Sequence, residues 1–265
     1  AVLRWQEDPA SPGWPFAFEE IGQLDTPGVE LAVHEQRLFV TTWPGRELSG
    51  TQDLASLWMS PLIPPAGLTD AHTSAWQRIW TARDYEPDPV TAATYGGGAL
   101  ASHNGHLYWG TMHVLGLALA AHRRIHGPPA GQDAQLSAAL GTHRSIAIFR
   151  GRNFGQTTTP AIELLYGAAR LPVWSPADGG WVLMPNAMDG GAPRFGHSGF
   201  GNPFNNYTWT MQPFRDELYV GTMDFGYLIF DMLALAMTPS EIQQLRLYFL
   251  SNNYNPDAFY GADLF

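Results

Sequence analysis

The sequence predicts an all-β chain built from a repeated meander, and three observations lead there. Its 28 glycines and 21 prolines punctuate a chain that is 45% hydrophobic and 13% aromatic. That composition suits many short strands joined by tight turns. One six-residue pattern recurs three times along the chain. Finally, the longest apolar stretch, Val114 to Ala121, is interrupted by His122, Arg123 and Arg124. It falls short of the run of about 18 apolar residues that a membrane-spanning helix requires.

The recurring pattern is polar, Leu, aromatic, Val or Trp, small, Thr. It reads Arg37-Leu38-Phe39-Val40-Thr41-Thr42, His106-Leu107-Tyr108-Trp109-Gly110-Thr111 and Glu217-Leu218-Tyr219-Val220-Gly221-Thr222. A turn precedes each copy, and the second and third continue through methionine to His113 and Asp224. Glycine before threonine inside a strand signals close approach of a neighbouring backbone. A further strand is expected after each copy, at Ala55–Ser60, Ser145–Arg150 and Gly226–Asp231, with outer strands at Trp76–Ala82 and Ala161–Ala168. Four-stranded meanders repeated around an axis make a β-propeller. Three blades are recognisable, and Trp174 with Gly180–Pro185 supplies material for a fourth.

Two insertions read as helices. Val114–His126 carries helically spaced apolar residues and stops at Gly127-Pro128-Pro129. Thr238-Pro239-Ser240-Glu241 is a capping box with proline at the first helical position, leading into a helix to about Phe249. Pro128–Gly141 reads as a solvent loop. Residues 1–28, rich in proline, read as an irregular arm, which leaves 29–265 for the blades and their helical insertions near 114–126 and 239–249.

Composition also removes whole classes of chemistry. Without cysteine there is no disulfide scaffold, thiolate nucleophile or cysteine-held metal. All 14 basic residues are arginine, so lysine Schiff-base chemistry and a P-loop are absent. A net charge of −10 opposes nucleic-acid binding.

Gly199-Phe200-Gly201-Asn202, Asn205-Asn206-Tyr207-Thr208-Trp209 and Leu218-Tyr219-Val220-Gly221-Thr222-Met223-Asp224 resemble the blade motifs of a group of bacterial extracytoplasmic β-propeller proteins. The likeness is good over Gly199–Phe265, looser over Tyr95–Arg150, and absent before Val29. It implies a propeller fold and a periplasmic or secreted location, with Ala1 compatible with signal-peptide cleavage; it implies no reaction. In such proteins a segment like Tyr260–Phe265 begins another blade. Three or four blades cannot close a ring, so further blades in cis or a second protein subunit are the expected partners, covering sheet edges that would otherwise stand open.

Candidate sites follow from these positions. His113 and Asp224 occupy equivalent places beyond Gly-Thr-Met, where strand ends reach the rim of a central channel. Asn202, Asn205, Asn206 and Tyr207 lie in a Gly-rich loop able to bind a sugar or calcium, although such residues more often serve turns. His122 and His126 stand four apart on one helical face, a spacing that lets two imidazoles share an ion such as zinc, but without the glutamate of a zinc-protease motif. No cofactor is required by any motif. The leading expectation is a non-catalytic extracytoplasmic module for protein association. Its rivals are a metal-dependent propeller hydrolase or lactonase acting at the channel rim, and a glycan-binding propeller.

Overall fold

The structure, a computed structural model, describes residues 1–7, 16–44, 54–114, 116–155, 160–188, 191–234, 237–253 and 262–264. An antiparallel hairpin of β1 (Val2–Glu7) and β2 (Phe16–Gly22) opens the chain. Residues 1–28 are therefore not the irregular arm expected from their prolines. A Trp-bearing strand and a Phe-bearing strand on the two sides of residues 8–15 find each other, with Trp5 set opposite Phe18.

The first meander follows as β3 (Gly28–His34), β4 (Arg37–Thr42), β5 (Ser56–Met59) and β6 (Gln77–Thr81), paired in that order. A short helix, α1 (Pro89–Ala92), leads into the second: β7 (Tyr95–His103), β8 (His106–His113), β9 (Ile148–Arg152) and β10 (Ala161–Gly167). Asn104 and Gly105 take φ of 45° and 72° at the β7–β8 turn, the left-handed pair that a two-residue hairpin requires. Helices α2 (Leu117–His126) and α3 (Gln132–Thr142) interrupt the β8–β9 connection. A separate hairpin pairs β11 (Arg170–Ser175) with β12 (Gly180–Pro185), and β13 (Gly196–His197) runs parallel to β10.

The third meander has β14 (Asn205–Phe214) and β15 (Glu217–Asp224). After α4 (Ile229–Leu233) and α5 (Pro239–Ser251), β16 (Ala262–Leu264) returns to the free edge of β15. The final segment is thus another strand of the same sheet rather than the start of a new one. Gly226–Asp231, expected as a strand, is a 3₁₀ turn running into α4. Two helices were expected; α3 lies where a solvent loop was read, and α1 and α4 add short ones. Helix α5 begins as read, with the Thr238 side chain and Glu241 capping each other.

The described residues are mainly β, with 42% strand and 24% helix. The described residues do not show a closed propeller. Strands β13, β10, β9, β8, β14, β15 and β16 make one open, curled sheet, with β7 also paired to β8.

The repeated threonine has a physical role. Thr42 Oγ1 accepts from the amide of Ser56 at 3.0 Å, and Thr111 Oγ1 accepts from the amide of Ala147 at 2.9 Å. Each hydroxyl clamps the chain where it enters the next strand. Gly110 is required by close approach, since a Cβ there would lie 2.3 Å from Thr208 Oγ1.

Alternation along the strands sends side chains to two cores. Leu107, Trp109, Phe149 and Leu164 of the second meander meet Phe39, Leu57 and Trp80 of the first. Ile148 and Leu165, one residue out of phase, meet Met211 and Val220 of the third. The second meander is therefore buried on both faces. The β1–β2 hairpin covers part of the first meander's outer face through Val2 and Ile21, against Val40 and Trp58. Among the described residues no helix is long and apolar enough to cross a membrane.

Candidate functional site

The loop between β6 and β7 carries two carboxylates into the interior. Glu86 is fully buried and forms a two-pronged pair with Arg144, at 2.7 Å to Nε and 3.2 Å to Nη2. Tyr95 donates to the same carboxylate at 3.1 Å, and the Asp88 amide does so at 3.0 Å. The remaining Arg144 protons go to the carbonyls of Gly141, His143 and Pro172. All five guanidinium donors are thus engaged, which is the condition for tolerating a buried charge. Burial disfavours the Arg144 charge, but Glu86 more than offsets this and raises its pKa. Burial, with Glu86 adding to it, pushes the Tyr95 phenol well above its usual range.

Asp88 begins α1 as its N-cap, accepting from the Thr91 amide at 2.7 Å, and Pro89 takes the first helical position. Its other oxygen accepts from the Trp174 amide at 3.0 Å. His122 Nε2 lies 3.0 Å from the first oxygen and 3.1 Å from Thr91 Oγ1. Burial works against ionised Asp88, but His122 and the two amides outweigh it and hold the carboxyl well below the usual range. Just beyond α1, Thr94 Oγ1 sits 3.2 Å from His113 Nε2 and donates its own proton to Thr91 O at 2.7 Å. One turn of chain therefore anchors two imidazoles, each by Nε2. In both rings Nδ1 is buried and has no hydrogen-bond partner.

Each imidazole borders a different cavity, and α3 lies between them. His122 lines one of about 330 Å³, with His126, Trp174, Trp181, Arg123 and Ser137. Four rings there form a closed circuit: His122–Trp181 at 4.8 Å, Trp181–Trp174 at 5.6 Å, Trp174–His126 at 5.7 Å and His126–His122 at 5.5 Å. His113 lines the other, of about 240 Å³, whose remaining wall is mostly apolar.

Of the residues singled out from sequence, His113 and Asp224 do stand at one end of the sheet. Met112 and Met223, the residues before them, both pair with Tyr207 across β14. Their bonds are separate, however: Asp224 accepts from Asn202 at 2.7 Å and from the Gly226 amide, while His113 turns to Thr94. The asparagines are tied internally. Asn202 also caps the Phe204 amide, Asn205 joins Gly199 O to Thr222, and Asn206 donates to Arg144 O. Tyr207 packs edge-on against Trp43 and Trp209. His122 and His126 face each other, yet His122 directs Nε2 to Asp88. Among the described residues, no group of three His, Asp or Glu side chains is placed to hold a metal ion.

Glu86, Asp88 and Arg144 were not singled out, and Trp174 was read only as material for a blade. Asp88-Pro89 was readable as a helix start. The Glu86–Arg144 pair joins residues 58 apart in sequence and has no local signature.

Compared with known proteins, the chain matches no family model and no curated protein.

The histidines make stability sensitive to acid. Burial, then Arg144 and His143, hold the His113 imidazole well below its ordinary value. Burial also lowers His143, to about 4, against the hydrogen bond to Pro203 O. Both rings are neutral when folded and take up protons more readily when unfolded, near pH ~6.5. Their contribution is complete above that pH and is lost as pH falls; the His143 share ends near pH 4. Urea midpoints should therefore drop between pH 6.5 and 4, and His143→Gln should flatten the slope. An unchanged midpoint across that window would contradict this assignment.

Proposed function

We propose that this chain is a non-catalytic recognition module of β-propeller type, and that it binds a saccharide in the cavity beside α2. The propeller reading is supported by three meanders stacked face to face, with the Thr clamp repeated in the first two. The observation that carries the binding reading is the aromatic circuit of His122, His126, Trp174 and Trp181 around one cavity wall. A wall of rings suits the C–H face of a pyranose, while Ser137 and His126 offer hydrogen bonds to its hydroxyls. Asp88 fixes the His122 ring, so its orientation is set before a ligand arrives.

A glycan array followed by calorimetry on the hits tests this. Trp174→Ala should weaken binding of the best saccharide at least about tenfold, the loss expected of one aromatic contact plus its buried area. Its melting curve should stay cooperative. Absence of any saccharide binding at millimolar concentration by folded protein would overturn the reading.

A second reading, protein association, has its own support. Leu31 and Val33 on β3 are 55% and 58% exposed, and Trp209 and Phe214 on β14 are each 57% exposed. Large apolar side chains concentrated on the outer meanders mark association surfaces. Light scattering at tens of micromolar should give a mass above 29.2 kDa, and the pair Leu31→Glu and Val33→Glu should lower it. A particle of 29.2 kDa throughout would remove this reading.

A further inference from the structure

The first and second meanders share a polar contact at the ends of β3 and β7. His34 Nδ1 lies 2.9 Å from Ser102 Oγ, across 68 positions of chain. On the other side of the ring, Nε2 lies 3.4 Å from Glu35 Oε1, within ion-pair range but not hydrogen-bonded. A hydroxyl, an imidazole and a carboxylate thus follow one another, the order in which a base activates a nucleophile and a third group orients the base. Contacts of this kind are often long before reaction and tighten during it.

The three groups differ in exposure as that chemistry requires. Ser102 is exposed, so a reagent can reach it from solvent. His34 is 5% exposed, and the Phe39 and Phe154 rings flank its imidazole at 6.1 and 5.9 Å. Glu35 is held in the β3–β4 turn at φ 45°, and its Oε1 accepts from the Asn153 amide at 2.7 Å. In the neutral ring, the proton belongs on Nε2, which faces the carboxylate. That leaves the Nδ1 lone pair to accept from the Ser102 hydroxyl. Burial holds the His34 imidazole below its ordinary value, with Glu35 working against this and His106 adding to it. Arg37, opposite His34 on β4, turns its guanidinium to Ser60 O. The ring is therefore in its basic form at neutral pH.

We propose that Ser102 is an acyl-accepting residue, activated by His34 as general base, with Glu35 positioning the ring. Ser102 Oγ bonds to the acyl carbon of an activated ester as its proton passes to His34 Nδ1. The bond from that carbon to the leaving oxygen or sulfur breaks, and His34 returns the proton to the departing group. An aryl ester or thioester suits the site, because its leaving group is a weak base and needs little help. One acyl group per chain is the product, so the step adds a modification site to the recognition module and requires no turnover. It uses no residue of the saccharide cavity.

p-Nitrophenyl acetate is the probe, and the chain has no lysine or cysteine to compete for it. Ser251 serves as internal reference, being exposed with its hydroxyl bonded only to backbone and amide groups. Peptide mass spectrometry over time should show Ser102 acetylated at least about a hundredfold faster than Ser251, the contribution expected of a general base. The Ser102 rate should rise with pH as His34 loses its proton and level off by neutral pH. His34→Gln should bring Ser102 down to the Ser251 rate. Glu35→Gln, which keeps an acceptor for the Asn153 amide, should move the midpoint of the pH profile lower, because Glu35 favours the protonated ring. If His34→Gln fails to fold, the pH profile of the unaltered protein decides alone. Equal rates at Ser102 and Ser251, a Ser102 rate unchanged in folded His34→Gln, or one that does not rise with pH would each overturn the proposal. An unmoved midpoint in Glu35→Gln would overturn the role given to Glu35. Failure of saccharide binding would alter none of these results.

Discussion

Arg144→Met is expected to cost about 3–5 kcal/mol, because it leaves the Glu86 carboxylate buried and uncompensated. Glu86 is wholly inside, and Arg144 is 3% exposed, so neither charge can turn to water. The guanidinium also ties the end of α3 to β11 through Gly141 O, His143 O and Pro172 O. Urea unfolding monitored by tryptophan fluorescence gives the value. The double variant Glu86→Leu with Arg144→Met should recover much of the loss, since burying no charge is often as stable as burying a matched pair. A loss below about 1 kcal/mol in the single variant would show that the pair is not closed in solution. The same variant should disturb both cavities, as α3 lies between them.

Trp109→Ala should cost a similar amount, about 3–5 kcal/mol, for a different reason. Trp109 is fully buried where the first and second meanders meet. It stacks on Phe149 with centroids 5.6 Å apart and planes at 21°, and it meets Trp80 edge-on at 6.0 Å. Truncation opens a cavity between two sheets that can relax only by sliding. Trp109→Phe should restore part of the loss by refilling it. Equilibrium unfolding of the two variants checks this, and equal stability of Trp109→Ala and the parent would mean that the two meanders do not pack through this ring.

The strands were legible where pattern and partner are close in sequence. Arg37–Thr42 is a strand in the structure with the same bounds, and the copies at His106 and Glu217 begin strands at the residues read. Leu107 and Trp109 point one way and Tyr108 the other, as period-two alternation requires. Helix α5 was legible because its start is encoded locally by Thr238, Pro239 and Glu241. Helix α3 was not. Its buried positions are Ala138, Ala139, Gly141 and Thr142, small residues that give no apolar stripe. It holds because Trp181 and the Phe204 cluster close over it; a Cβ at Gly141 would lie 2.3 Å from the Trp181 ring.

The third meander departs from the repeat for a tertiary reason as well. After Thr222-Met223-Asp224, the Asp224 carboxylate receives the Gly226 amide and bends the chain off the sheet edge. Ile229 and Leu233 then bury themselves against Leu119 and Leu245, and β16 pairs with the vacated edge of β15.

By itself, the sequence determined the β-rich class, the repeated threonine-bearing strand, and the capped helix at Thr238, because each depends on neighbours a few residues away. The tertiary structure alone decided which polar groups meet. Asp88 with His122, Thr94 with His113, and Glu86 with Arg144 are joined across 34, 19 and 58 positions of chain. Such pairs are chosen by the cost of leaving a buried charge or donor alone, and that cost exists only once the chain has folded around them.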